Sequence, residues 1–226
     1  MFKNFIQIAG VIDNKEAQML QNCGVKYFGF PLRLPVNKED LSEEDAGEIV
    51  RNFSPRTESI LITYLDKAEE ILELAKKIGS NIVQLHGHIS DSELIKLREL
   101  KPELNIIQSL IIGKHSEEEL MNRINMISER VNAFITDSYN PQTGATGATG
   151  IVHNWQISKA LVEASIKPVI LAGGLTPENV YDAILTVRPA CVDSHTGVED
   201  KNGRKSKQKV TKFVKEALKA FHEVEG

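Results

Sequence analysis

Short apolar runs alternate with longer segments whose apolar positions recur every three or four residues, along the whole chain. Phe5 to Ala9 reads as a strand, and Lys15 to Gln21 as a helix stopped by Gly24. Val25 to Phe30 pairs with a helical pattern from Glu43 to Phe53, and Ser59 to Tyr64 with Lys67 to Lys77. Asn81 to Leu85 precedes Ser90 to Leu100, and Asn105 to Ile112 precedes Ser116 to Arg130. Val131 to Thr136 precedes Gln156 to Ser165, and Pro168 to Ala172 precedes Pro177 to Val187. Ala190 to Asp193 precedes Gln208 to His222. Strands alternating with helices in this way predict βαβ units and a parallel sheet. Most of the strands are apolar on both faces, which is expected of strands covered on both sides. Eight units at about 28 residues each predict a single-domain (β/α)₈ barrel over 1–226, a fold that typically needs about 200–250 residues. An open doubly wound sheet is the competing architecture. Ser116-Glu117-Glu118-Glu119 has the form of a capping box, and Thr176-Pro177 places a cap residue before a first-turn proline.

Composition narrows the class without changing the fold. The 226 residues carry 27 Lys+Arg against 31 Asp+Glu, a net charge of −4. That balance gives no electrostatic footprint for nucleic acid. No apolar run approaches the roughly 20 residues that span a bilayer, so no membrane partner is expected. The N-terminus lacks a signal-peptide pattern, and Cys23 and Cys191 make no disulfide framework. The expectation is a cytoplasmic protein with two small buried thiols.

A barrel of this kind performs chemistry at the C-terminal ends of its strands. Those positions here are Gln7-Ile8-Ala9-Gly10, Gln84-Leu85-His86-Gly87, Asp137, Ala172-Gly173-Gly174-Leu175 and Val192-Asp193-Ser194-His195-Thr196-Gly197-Val198-Glu199. Glycine permits close backbone approach, so N–H groups can converge on an anion. Gly173, Gly174, Thr196 and Gly197 therefore predict a phosphate site between the last two loops. The Gly144 to Gly150 segment lacks the P-loop lysine and dinucleotide spacing, and reads as a loop over the active site or a simple flexible connection. His86-Gly87-His88 lacks a third ligand at suitable spacing, so no metal is expected. Ser194 and His195 alternate across a strand and form no dyad.

Taken together these motifs resemble the phosphoribosylanthranilate isomerase family of tryptophan biosynthesis. The resemblance rests on Gln84-Leu85-His86-Gly87, Asp137, Gly147 to Trp155, Leu171 to Val180 and Val192 to Glu199, with Gly29-Phe30 in the first half. It implies a phosphorylated small-molecule substrate, no cofactor, and an Amadori rearrangement of an N-phosphoribosyl arylamine. Asp137 matches the family's general acid. Gly150 and Asp193 join the implied substrate and phosphate contacts. The family's Lys-Ile-Cys-Gly motif reads Gln7-Ile8-Ala9-Gly10, so Ala9 stands where the family has its cysteine base. The implied carboxylate-binding arginine after strand two is replaced by Arg33, displaced along the loop. Three readings follow: an isomerase in which His86 or His195 serves as base, a sugar-phosphate isomerase with another substrate, or a silent phosphate-binding barrel.

Overall fold

The computed structural model describes residues 2–35, 41–147, 149–150 and 152–226. Ala148, inside the glycine-rich segment, and Ile151, directly after it, lie outside the described residues. Eight parallel strands among the described residues close into a barrel in simple chain order. They are β1 (Ile6–Ala9), β2 (Tyr27–Pro31), β3 (Glu58–Thr63), β4 (Ile82–Leu85), β5 (Asn105–Ile112), β6 (Ala133–Ser138), β7 (Val169–Leu171) and β8 (Cys191–Ser194). Eight α-helices among the described residues alternate with them: α1 (Asn14–Asn22), α2 (Glu43–Arg51), α3 (Ala68–Ile78), α4 (Asp91–Leu100), α5 (Glu117–Ile127), α6 (Trp155–Ala164), α7 (Val180–Val187) and α8 (Lys207–Glu225). The predicted barrel is thus the observed fold. None of the helices among the described residues is long and apolar enough to cross a membrane.

The strands are buried on both faces because two separate apolar layers use them. One layer lies between the sheet and the helices and includes Ile8, Phe28, Leu61, Val83, Phe134 and Val192. The other fills the barrel and includes Ile60, Ile82, Ile107, Ile135, Ile170 and Cys191. Side chains two residues apart share a strand face. Moving up one step toward the mouth, Ile82 gives way to Gln84, Ile107 to Ser109, Ile135 to Asp137 and Cys191 to Asp193, all buried. The same alternation that builds the core therefore delivers polar groups to the barrel's upper end.

Local signals acted as physics requires, with three corrections. Ser116 and Glu119 form the full capping box at α5. The helical pattern ending at Arg130 instead stops at Ile127 and tightens into a 3₁₀ turn over Ser128–Arg130. Thr176 caps a turn rather than α7: its hydroxyl accepts from the Glu178 N–H, and the helix begins only at Val180. Cys191 is fully buried, but Cys23 is half-exposed at the C-terminal end of α1. The Cys23 Sγ reaches across to the Thr211 hydroxyl of α8.

Candidate active site

The strand ends and following loops enclose a cavity of about 350 Å³. Its wall contains Ala9, His86, Asp137, Gly150, Gly173, Gly174, Asp193, His195, Thr196 and Gly197, so the sequence-derived candidates converge on one space. Arg33 is the exception. It does not line the cavity; its guanidinium Nε lies 2.8 Å from Glu43 Oε1, at the start of α2. Its backbone sits in the left-handed region (φ 53°), which directs the side chain along a different path from an extended strand end.

Loop geometry at the β7 and β8 ends is set by glycine. Gly173 and Gly174 have φ values of 89° and 65°, which non-glycine residues rarely adopt. Asn179 holds this turn, donating through Nδ2 to the Gly174 carbonyl at 3.0 Å and accepting from the Thr176 N–H at 2.8 Å. Among the described residues, the N–H groups of Gly173 and Gly174 have no acceptor. The facing loop turns through a 3₁₀ segment, Thr196–Val198. Ser194 ties the two loops together by donating to the Leu175 carbonyl at 2.8 Å.

Across the cavity, a chain of hydrogen bonds climbs from the barrel interior to the mouth. Gln7 Nε2 donates to Gln84 Oε1 (3.2 Å), and Gln84 Nε2 to the Ser109 hydroxyl (3.5 Å). Ser109 Oγ lies 3.0 Å from His86 Nδ1, and His86 Nε2 lies 3.1 Å from the Thr146 carbonyl. A carbonyl can only accept, so His86 Nε2 donates to it. Tyr64 donates to the same Thr146 carbonyl at 3.0 Å, pinning the β6–α6 loop over the mouth.

Asp137 sits beneath that loop. Its Oδ1 accepts from the Ser138 N–H at 2.7 Å. A Cβ on Gly147 would come within 2.7 Å of Asp137 Oδ2 and 2.8 Å of His86 Nε2, so glycine is what lets the loop close on both. Burial pushes the Asp137 carboxyl above its ordinary range, opposed by the neighbouring His86. Asp193 is pushed well above that range by the same desolvation, reinforced by Asp137. Among the described residues its Oδ1 is buried without a partner. Two carboxyls facing one cavity thus retain protons more readily than in water.

Sequence reasoning passed over Tyr64 and Lys205. Tyr64 ends the third apolar run, so the strand-end rule alone could have found it. Lys205 lies in a polar surface-like stretch, yet its side chain is fully buried, with Nζ 2.6 Å from Glu199 Oε1. No local signal marks that burial. Among the described residues no group of three or more metal-ligating side chains is assembled.

His153 supplies a pH prediction. Desolvation lowers its pKa from 6.5 to about 4; its Nε2 pairs with the Ser158 hydroxyl at 2.6 Å. The unfolded chain therefore binds a proton here that the folded chain refuses, so this site's contribution to stability grows with pH between those values and is lost on acidification. The His153→Gln variant is expected to show a flatter dependence of Tm on pH between 6.5 and 4 than the parent. Parallel slopes in thermal melts would contradict this.

A family model described as N-(5'phosphoribosyl)anthranilate (PRA) isomerase matches residues 6–216. The chain is 37% identical over 221 residues to N-(5'-phosphoribosyl)anthranilate isomerase 2 of Methanosarcina mazei, covering 97% of this chain and 96% of that protein. It is 34% identical to the Methanosarcina acetivorans isomerase, covering 95% and 93%. Among solved structures, the Thermotoga maritima phosphoribosyl anthranilate isomerase superposes with a TM-score of 0.79 at 28% identity, covering 94% and 98%. Another isomerase structure, with bound reduced 1-(o-carboxyphenylamino)-1-deoxyribulose 5-phosphate, gives 0.76 at 27% identity, covering 94% and 97%. Sequence and fold agree over nearly the whole length, and the chain belongs to the N-(5'-phosphoribosyl)anthranilate isomerase family.

Proposed function

We propose that this protein converts N-(5-phosphoribosyl)anthranilate to its 1-deoxyribulose form, serving tryptophan biosynthesis in the cytoplasm. The observation that carries this reading is the polarity of the cavity. The Gly173 and Gly174 N–H groups, without an acceptor among the described residues, stand at one end, and Pro31, Leu34, Ile62 and Tyr64 form an apolar wall elsewhere. A phosphate suits the first and an aromatic ring the second. About 350 Å³ is within the usual range for a small-molecule site. The bound analogue of the related structure carries the same two ends, a phosphate and a carboxyphenyl group.

Asp137 supplies the acid in this scheme. Its proton passes to the ribose ring oxygen as the C1–O bond breaks, and the nitrogen lone pair forms an iminium at C1. The iminium then acts as an electron sink for loss of the C2 proton, giving an enolamine. Proton return to C1 and loss of the C2 hydroxyl proton yield the ketone, so the reaction is a redox-neutral isomerisation. Burial that favours the protonated carboxyl suits Asp137 to its opening step.

Purified protein is expected to convert phosphoribosylanthranilate to the ketose, followed by chromatography and NMR, and inorganic phosphate is expected to compete with substrate. A phosphate titration that leaves the backbone signals of Gly173, Gly174, Thr196 and Gly197 unmoved would remove the assigned phosphate end. One observation favours a second reading. With Arg33 paired to Glu43, the described aryl wall is apolar, which suits an arylamine lacking a carboxylate. Faster turnover of the aniline adduct than of the anthranilate adduct would select that substrate.

A further inference from the structure

The reaction needs a proton acceptor for the sugar C2, and the described residues lining the cavity offer five carboxyl or imidazole candidates: His86, Asp137, Asp193, His195 and Glu199. Four are otherwise engaged. His86 has both ring nitrogens in hydrogen bonds, to Ser109 and Thr146. Asp137 is committed as the acid. Asp193 is buried, and that desolvation, with Asp137 as a lesser contributor, keeps its proton on. Glu199 is neutralised by Lys205 at 2.6 Å. Of the five only His195 is left, and among the described residues neither of its nitrogens makes a hydrogen bond.

Its position fits the task. A Cβ on Gly10 would lie 2.0 Å from His195 Nε2 and 2.7 Å from Cδ2 and Cε1, so the imidazole edge rests in the notch above Gly10, directly after Ala9. Ala9 contributes only a methyl group to the same cavity, leaving room beside the ring for a sugar carbon. Glu199 Oε1 stands 3.6 Å from Nε2, close enough to pair with an imidazolium once it forms. Lys205 fixes both partners: its Nζ donates to Glu199 and, at 3.2 Å, to the His195 carbonyl. The Lys205 N–H donates to Glu16 Oε1 at 2.8 Å, and Glu16 Oε2 accepts from the Ile12 N–H at 3.2 Å. The β8 loop is thereby fastened to the segment that follows β1, which keeps His195 in register with Gly10.

We infer that His195 is the catalytic residue that removes the C2 proton, with Glu199 and Lys205 as its positioning residues. The inference rests on the isomerase reading above. In the step, the C2–H pair becomes the C1–C2 π bond, the iminium π pair returns to nitrogen, and the proton moves to imidazole. The imidazolium then delivers that proton to C1. The C2 hydroxyl proton, released as the ketone forms, restores Asp137. Burial, and to a lesser degree the nearby Lys205 ammonium, keep the ring unprotonated beforehand. A weak base suffices because the adjacent iminium acidifies the carbon.

The test uses His195→Ala and His195→Gln, compared with wild type for phosphoribosylanthranilate turnover. The expected result is a fall in kcat of about 10²–10⁴-fold with KM changed only slightly. Added imidazole should restore part of the His195→Ala rate, and Ala9→Cys in that background should restore part of it through a thiolate on the neighbouring strand. A substrate deuterated at C2 should show a larger isotope effect in His195→Ala than in wild type. Activity in both variants within about threefold of wild type would overturn the inference alone, since a working wild type upholds the isomerase reading. A loss that appears only in KM, or in Tm without imidazole rescue, would reduce His195 to a structural role. A wild-type protein that does not turn the substrate over would remove both readings.

Discussion

Asp137→Asn is expected to reduce turnover of phosphoribosylanthranilate by about 10²–10⁴-fold, the usual worth of a positioned acid, while leaving the fold intact. Asparagine keeps the shape and the acceptor that Oδ1 presents to the Ser138 N–H at 2.7 Å. What it loses is the transferable proton. The surroundings favour that proton: burial raises the carboxyl's pKa and the nearby His86 only offsets this. Activity of the wild type should accordingly decline as pH rises through the raised Asp137 pKa, because the acid form disappears. The Asn variant should lack that alkaline limb. A pH–rate profile and a melting curve on the same preparations decide the matter. An Asn variant with wild-type rate would withdraw Asp137 from the reaction, whereas one that fails to fold would show that the carboxyl is structural.

The barrel was legible because its cause is periodic. Continuous apolar runs such as Ile60-Leu61-Ile62 satisfy two layers at once, and the amphipathic segments between them have nowhere to pack except over the sheet. The strand-end rule then collected most of the cavity from sequence alone, since polar residues closing apolar runs, Gln84 and Asp137 among them, are placed by the same alternation. Helix starts were less secure. Thr176-Pro177 has the composition of a cap, yet Asn179 is drawn instead to the Gly174 carbonyl and delays the helix to Val180. Tertiary demand at the loop after β7 outweighed local preference there. Long-range pairing was invisible for a different reason. Lys205 and Glu16 are 189 positions apart, and nothing near either residue announces that a lysine between Arg204 and Ser206 will be buried. Arg33 is a different case: the resemblance implied a ligand contact, whereas a left-handed backbone and Glu43 ten residues on give it a partner outside the cavity.

Gly197→Ala is expected to raise KM and the competing phosphate constant by at least about tenfold, with a smaller effect on kcat. A Cβ at this position would lie 1.9 Å from the Leu175 carbonyl oxygen and 2.9 Å from its carbon. These are backbone atoms, so no rotamer change relieves the contact, and the loops after β7 and β8 must separate. The Ser194–Leu175 hydrogen bond that joins them would lengthen, and the Gly173-Gly174 N–H groups would move away from the β8 side. Hydrogen bonds to a charged group contribute about 1.5–3 kcal/mol each, so losing one already accounts for a factor of ten. Because Asp137 stands on β6 and His86 directly after β4, away from the loops that separate, bound substrate should still meet the acid, which is why kcat suffers less. Gly24→Ala separates this effect from simple backbone strain. Gly24 has φ 86° but nothing within 4 Å of an added Cβ, so that variant should lose about 1–3 kcal/mol of stability with KM unchanged. Equal KM values in Gly197→Ala and wild type would show that the anion is held elsewhere in the cavity.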